Sequence, residues 1–144
     1  MNSESSTQNG PQHLELSADR ALFEGHLQGL LLSCYEDERP MQGLIGLMDW
    51  QLRGEISQAI RAGFITGKTG EVAYLPVRHT GKTLHLLIAG CGAQRGSRIP
   101  TDTLQAVLKN LRSLNLSGLG ISQLDFDSES LQQLTRETGL WTVH

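Results

Sequence analysis

Hydrophobic positions along the chain change period from one block to the next, and each change marks an element. From Met41 onward, apolar residues recur at 41, 44, 45, 48, 52, 56, 59 and 60, which is one face at the 3.6-residue helical spacing. Pro40 suits a first helical position, where a missing N–H costs nothing, and Gly63 suits the residue just past the end. Uninterrupted, the span 41–62 would be about 33 Å long. Gly43 and Gly46 weaken a single helix, so the alternative is two shorter pieces joined near Leu47–Asp49, with Asp49 capping the second.

Around this stretch lie runs of a different kind. Leu27–Tyr35 (LQGLLLSCY) is short, apolar and followed by Glu36-Asp37-Glu38, which predicts a buried strand. Val72–Val77 and Thr83–Ala89 predict two more strands, and the short link 78–82 with Gly81 predicts an antiparallel hairpin. His13–Leu16 alternates as a first short strand, with a turn or helix cap at Ser17–Asp19. Thr101–Asn115 predicts a helix with apolar positions at 104, 107, 108 and 111. Leu119–Phe126 suits a strand, and Asp127 or Ser128 caps a helix running through Leu134 that Gly139 ends. Trp141–Val143 adds an edge strand. Strands alternating with helices predict an α/β class with a mixed sheet. Residues 1–12 are polar enough to form a flexible tail, leaving 13–144 as a single domain.

Composition narrows the function classes. The chain has 144 residues and a net charge of −3, with no cluster of Lys and Arg of the sort that displaces counterions from phosphates. Nucleic acid is therefore an unlikely partner. No apolar run is long enough to cross a bilayer, the first residues lack the layout of a signal peptide, and two cysteines 57 positions apart do not make a secreted disulfide framework. A cytoplasmic protein without a membrane segment is the expectation.

Several motifs invite chemistry. Gly67-Lys68-Thr69 and Gly81-Lys82-Thr83 suggest phosphate loops, but the glycine required five positions earlier is Ala62 or Pro76, and the first triplet runs from helix to strand, the reverse of the required order. Turn chemistry accounts for both. Gly90, Cys91, Gly92 and Gly96 follow a strand and form a candidate pocket for a small anionic ligand, held by backbone N–H groups. The third glycine comes one residue late for a dinucleotide fingerprint, and Asp125 and Asp127 lie more than thirty residues on. Cys34 and Cys91 end apolar runs and read as buried hydrophobes. His79 and His85 show no ligand-pair spacing, so no metal and no cofactor is expected. Asp49 and Arg53 stand four apart on the long helix, as a local ion pair would. Trp50 lies off that helix's apolar face, where it either fills a second packing surface or docks a partner.

Read together, Asp49-Trp50-Gln51-Leu52-Arg53-Gly54-Glu55-Ile56-Ser57 and Gly63-Phe64-Ile65-Thr66-Gly67-Lys68-Thr69-Gly70-Glu71 resemble the N-terminal domain of the leucyl (cytosol) aminopeptidases. In that family a helix leads to a glycine, an "F.GK.GE" turn and a strand, and a later apolar strand ends in Gly-x-Gly, as Leu86–Gly92 does here. The resemblance spans about Leu27 to Leu111. It implies a three-layer α/β/α, macro-domain-like fold with a mixed sheet and helices on both faces. It also implies that the turn 66–71 delivers the chain from helix to strand, with Lys68 and Glu71 making structural polar contacts.

In the full enzymes this domain is non-catalytic, and a separate domain binds two metal ions through Lys, Asp and Glu with an "NTDAEGR"-like segment. No such segment occurs in these residues, so the aminopeptidase activity is not carried over. Glu36–Pro40 and Trp50 also differ from the ordinary enzymes, which suggests a stand-alone branch. The leading expectation is a non-catalytic protein-interaction or regulatory module, self-associating or bound to another protein, with Asp49, Trp50 and Arg53 as the docking residues. The alternative is phosphate or ADP-ribose-like binding at Gly90–Gly96, although the asparagines of an ordinary macro-domain loop are missing. DNA binding, known in some aminopeptidases of this family, is the least supported by the charge.

Overall fold

The computed structural model describes residues 12–93, 99–115 and 118–144. Its elements are β1 (Gln12–His13), α1 (Ala18–Phe23), β2 (Gly29–Cys34), α2 (Gly43–Gln51), α3 (Glu55–Arg61), β3 (Val72–His79), β4 (Lys82–Gly90), α4 (Thr101–Leu114), β5 (Leu119–Ser122), α5 (Ser128–Thr138) and β6 (Trp141–Val143). Six strands form one mixed sheet in the order β1-β6-β5-β2-β4-β3. Neighbours are parallel from β1 through β4, and β3 closes the far edge antiparallel to β4.

Central strand β2 is buried at every position, the continuous apolar run expected of a strand covered on both faces. Alternation along it sorts the core into two layers. Leu30, Leu32 and Cys34 meet Leu22, Ile45, Met48 and Ile56, so α1, α2 and α3 cover one face. Leu31, with Leu87 and Ala89 of β4, meets Leu104, Val107, Leu108 and Leu134 of α4 and α5 on the other. The expected α/β/α architecture with a mixed sheet is therefore present. The leaving directions of adjacent strands follow from it. The chain departs β2 toward α2 on one face and departs β5 toward α5 on the opposite face, the arrangement that in open α/β sheets places a ligand crevice outside the carboxyl ends.

The predicted long helix is two helices, and the break lies at 52–54 rather than 47–49. Arg53 (φ 59°) and Gly54 (φ 82°) both adopt the left-handed region, which no helix can continue through. The first helix begins at Gly43, three residues after Pro40. Asp49 is not the N-cap residue of the second helix, which is Gly54, but it braces that helix from inside the first. Its carboxylate accepts from the Ser57 amide at 2.8 Å and from the Ser57 hydroxyl.

Other boundaries shift in instructive ways. Gln12, placed in the tail, pairs with Trp141 in β1; residues 1–11 lie outside the described residues. Strand β5 stops at Ser122, and α5 continues to Thr138 before Gly139 (φ 72°) ends it. Strand β6 is not an edge strand: β1 pairs outside it and β5 inside. The β3–β4 hairpin is antiparallel as predicted, with Thr80 (φ 49°) and Gly81 (φ 82°) at its turn. No helix among the described residues is long and apolar enough to cross a membrane.

Candidate functional site

Three segments converge at the carboxyl ends of β2, β4 and β5. The Thr66–Glu71 turn packs directly onto the end of β4. Gly90 donates to the Glu71 carbonyl at 2.8 Å and Gly92 to the Gly67 carbonyl at 2.8 Å, while Cys91 donates to the Cys34 carbonyl at 2.9 Å. A side chain at Gly90 would place its Cβ 2.1 Å from the Lys68 carbonyl oxygen, so only glycine admits this approach. Thr103 at the start of α4 fastens the same corner, accepting from Gly70 N at 2.7 Å and donating to the Gly90 carbonyl at 2.6 Å.

Glu71 organises the turn itself. Its carboxylate accepts from the Thr66 amide, the Thr66 hydroxyl and the Gly67 amide at 2.7–2.8 Å. Burial pushes this carboxyl up, but the Thr66 hydroxyl and the two amides outweigh it and hold it below its ordinary value. Glu71 thus makes the structural contacts expected of it. Among the described residues the Lys68 side chain makes no hydrogen bond or ion pair; it is exposed and acts on Glu71 only through its charge.

On the opposite wall, Asp125 reaches across from the loop after β5. Its Oδ2 accepts from the Ser33 amide at 3.0 Å, standing where a strand carbonyl would continue the β5–β2 ladder beyond Leu31 and Ile121. Burial pushes its carboxyl up to about 6, with the Glu38 charge adding to the shift and the Ser33 amide opposing it. A carboxylate perturbed in this way in a crevice marks a candidate ligand contact. Sequence separation hid it, because only the parallel pairing of β5 and β4 with β2 brings Asp125 beside the Gly90 loop. The buried Cys91 thiol is pushed up to about 12, first by burial and then by Asp125. Burial raises Cys34 as well. Both cysteines are free and buried, which fits a packing role.

Of the predicted ligand-holding residues, Gly90, Cys91 and Gly92 sit at the crevice, but their backbone N–H groups are already engaged within the fold. Gly96, the fourth, lies outside the described residues.

The predicted docking residues lie elsewhere. Trp50 is 78% exposed, so it fills no second packing surface. It borders a groove of about 620 Å³ together with Arg39, Met41, Asp49, Arg53 and Arg61. The expected Asp49–Arg53 ion pair does not form, because the break at Arg53 turns its side chain out of helical register and Ser57 takes the carboxylate. Neither Arg53 nor Arg61 has an ion-pair partner among the described residues. Elsewhere His85 accepts or donates to the Tyr74 hydroxyl at 2.7 Å and His79 packs on Phe23, structural roles in both cases.

Comparison with known proteins bears on the fold. No protein-family model matches the chain, and no curated protein matches it by sequence. Among solved structures it is similar to the macrodomain of Thermus aquaticus DarG, with a TM-score of 0.63 at 9% identity over 93% of this chain and 97% of that one. It is also similar to a mutant tomato leucine aminopeptidase, with a TM-score of 0.59 at 15% identity over 93% of this chain but 32% of the enzyme. A third is Thermosipho africanus DarTG in complex with ADP-ribose, with a TM-score of 0.57 at 10% identity over 85% of this chain and 39% of that one. The macro-domain-like architecture is thereby supported from both sides of the resemblance, macrodomain and aminopeptidase N-terminal part.

Proposed function

We propose that this chain is a non-catalytic binding module that holds a nucleotide-derived anion of the ADP-ribose class in the crevice at the carboxyl ends of β5, β2 and β4. The observation that carries the reading is Asp125, a perturbed carboxylate held at the topological switch point. A carboxylate there can accept hydrogen bonds from ribose hydroxyls or an exocyclic amine. The Cys91 thiol, pushed up to about 12 by burial, offers no thiolate there. A neighbour of the same fold bound to ADP-ribose supports the choice of ligand class.

Thermal unfolding and calorimetric titration with ADP-ribose, AMP, ribose 5-phosphate and inorganic phosphate test it. Saturable binding by ADP-ribose is expected, with about 2.7 kcal/mol of stabilisation at a hundredfold excess over Kd, and about tenfold weaker binding in Asp125→Ala. No shift at millimolar ligand would overturn the reading.

One observation favours a second, compatible role. Exposed Trp50 beside Arg53 and Arg61, which have no ion-pair partner among the described residues, suits a protein segment that presents carboxylates next to an apolar side chain. A synthetic peptide alternating Glu and Leu should shift the Trp50 emission to the blue, and Arg53→Glu should abolish the shift. An emission spectrum unaffected by the peptide would remove this role.

A further inference from the structure

The outer strands of the sheet bring together three side chains that neither role uses. Backbone bonds extend the β1–β6 pairing past the strand ends: Leu14 N donates to the Thr142 carbonyl at 2.9 Å and His144 N to the Leu16 carbonyl at 2.9 Å. Extended residues two apart share a face, so His13 and Glu15 stand on the side where Thr142 and His144 also project. Glu15 then bridges two imidazoles. Its Oε1 lies 2.9 Å from His13 Nε2 and its Oε2 lies 2.8 Å from His144 Nε2, with the two rings edge to face at 5.3 Å. The ligating atoms of all three residues fall within 4.8 Å of one another.

The geometry points to a divalent metal site, His13–Glu15–His144, of the kind that takes zinc. Two imidazole nitrogens and one carboxylate oxygen make a three-ligand set with an open fourth position for water. The outer contacts also fit. Thr142 Oγ1 lies 2.7 Å from His13 Nδ1 and 3.2 Å from the Gln12 carbonyl oxygen. When the hydroxyl donates to Gln12, it accepts the Nδ1 proton of His13 and leaves the Nε2 lone pair for the metal, the usual outer-shell support of a ligating histidine. The metal would clip the first strand to the last, joining residues 129 positions apart in the chain, and binding to the folded form alone stabilises it.

Titration of the full chain with Zn(II), followed by calorimetry and thermal unfolding, tests the site, with Co(II) absorption reporting coordination geometry. The expected result is one Zn(II) per chain, a raised Tm reversed by EDTA, and a tetrahedral-type Co(II) spectrum. Glu15→Gln and His144→Gln should each weaken binding tenfold or more, while the control His26→Gln leaves it unchanged and circular dichroism confirms that every variant folds. Undiminished binding in the Glu15→Gln/His144→Gln double variant would overturn the proposal. So would the absence of saturable binding at 100-micromolar metal.

Discussion

Burial raises the carboxyls of both Asp125 and Glu71, yet their net shifts run in opposite directions, because only one has enough donors. Asp125 meets the Ser33 amide and the Glu38 charge, and its carboxyl rises to about 6. Its proton is bound more tightly in the folded chain, so its contribution to stability is complete below about pH 4 and is lost as pH rises through about 6. Urea unfolding at pH 4.5 and 7.5 should show wild type losing on the order of 1–2 kcal/mol relative to Asp125→Asn across that interval. A constant difference between the two would contradict the assignment. Glu71 meets three donors and is lowered, so its contribution is present at neutral pH and lost on acidification. Glu71→Gln loses part of that acceptor set and should destabilise the chain by about 1–3 kcal/mol at pH 7, measured by the same unfolding curves.

At the scale of elements, the helix–turn–strand unit from Gly43 to Val77 was legible in outline. Apolar residues at 45, 48, 52, 56 and 59 are buried as the helical period requires. Its break was misplaced, because Arg53 gives no local sign that it will adopt a left-handed conformation, whereas Gly43 and Gly46 advertise flexibility that the helix tolerates. An arginine in that conformation carries a steric cost of about 1–2 kcal/mol. Arg53→Gly should therefore raise stability by up to about 1 kcal/mol while removing one of the groove's charges, which calorimetry and peptide binding would separate. The contact between the Thr66–Glu71 turn and β4 is the least forgiving one. Gly90→Ala would drive a Cβ into the Lys68 carbonyl and should cost about 3 kcal/mol or more, seen as a lost or strongly lowered Tm.

For the molecule as a whole, class and layering followed from patterning, since β2 is buried along its length and β4 is buried and apolar from Leu86 to Ala89. Strand order did not follow. Trp141–Val143 looks like an edge by its length and position, yet it lies inside because Gln12 and His13 pair beyond it, and two residues carry no periodic signal. The same long-range pairing places Asp125 beside the Gly90 loop and His13 beside His144, which is why neither juxtaposition could be read from spacing. Ligand binding at the carboxyl ends of β2, β4 and β5 is the central claim. Titration of isotopically labelled protein with ADP-ribose, followed by amide NMR, tests it most directly. Shifts concentrated at Ser33, Cys91 to Ala93, and Leu124 and Asp125 are expected. An unperturbed spectrum at millimolar ligand, or shifts confined to the groove around Trp50, would contradict it.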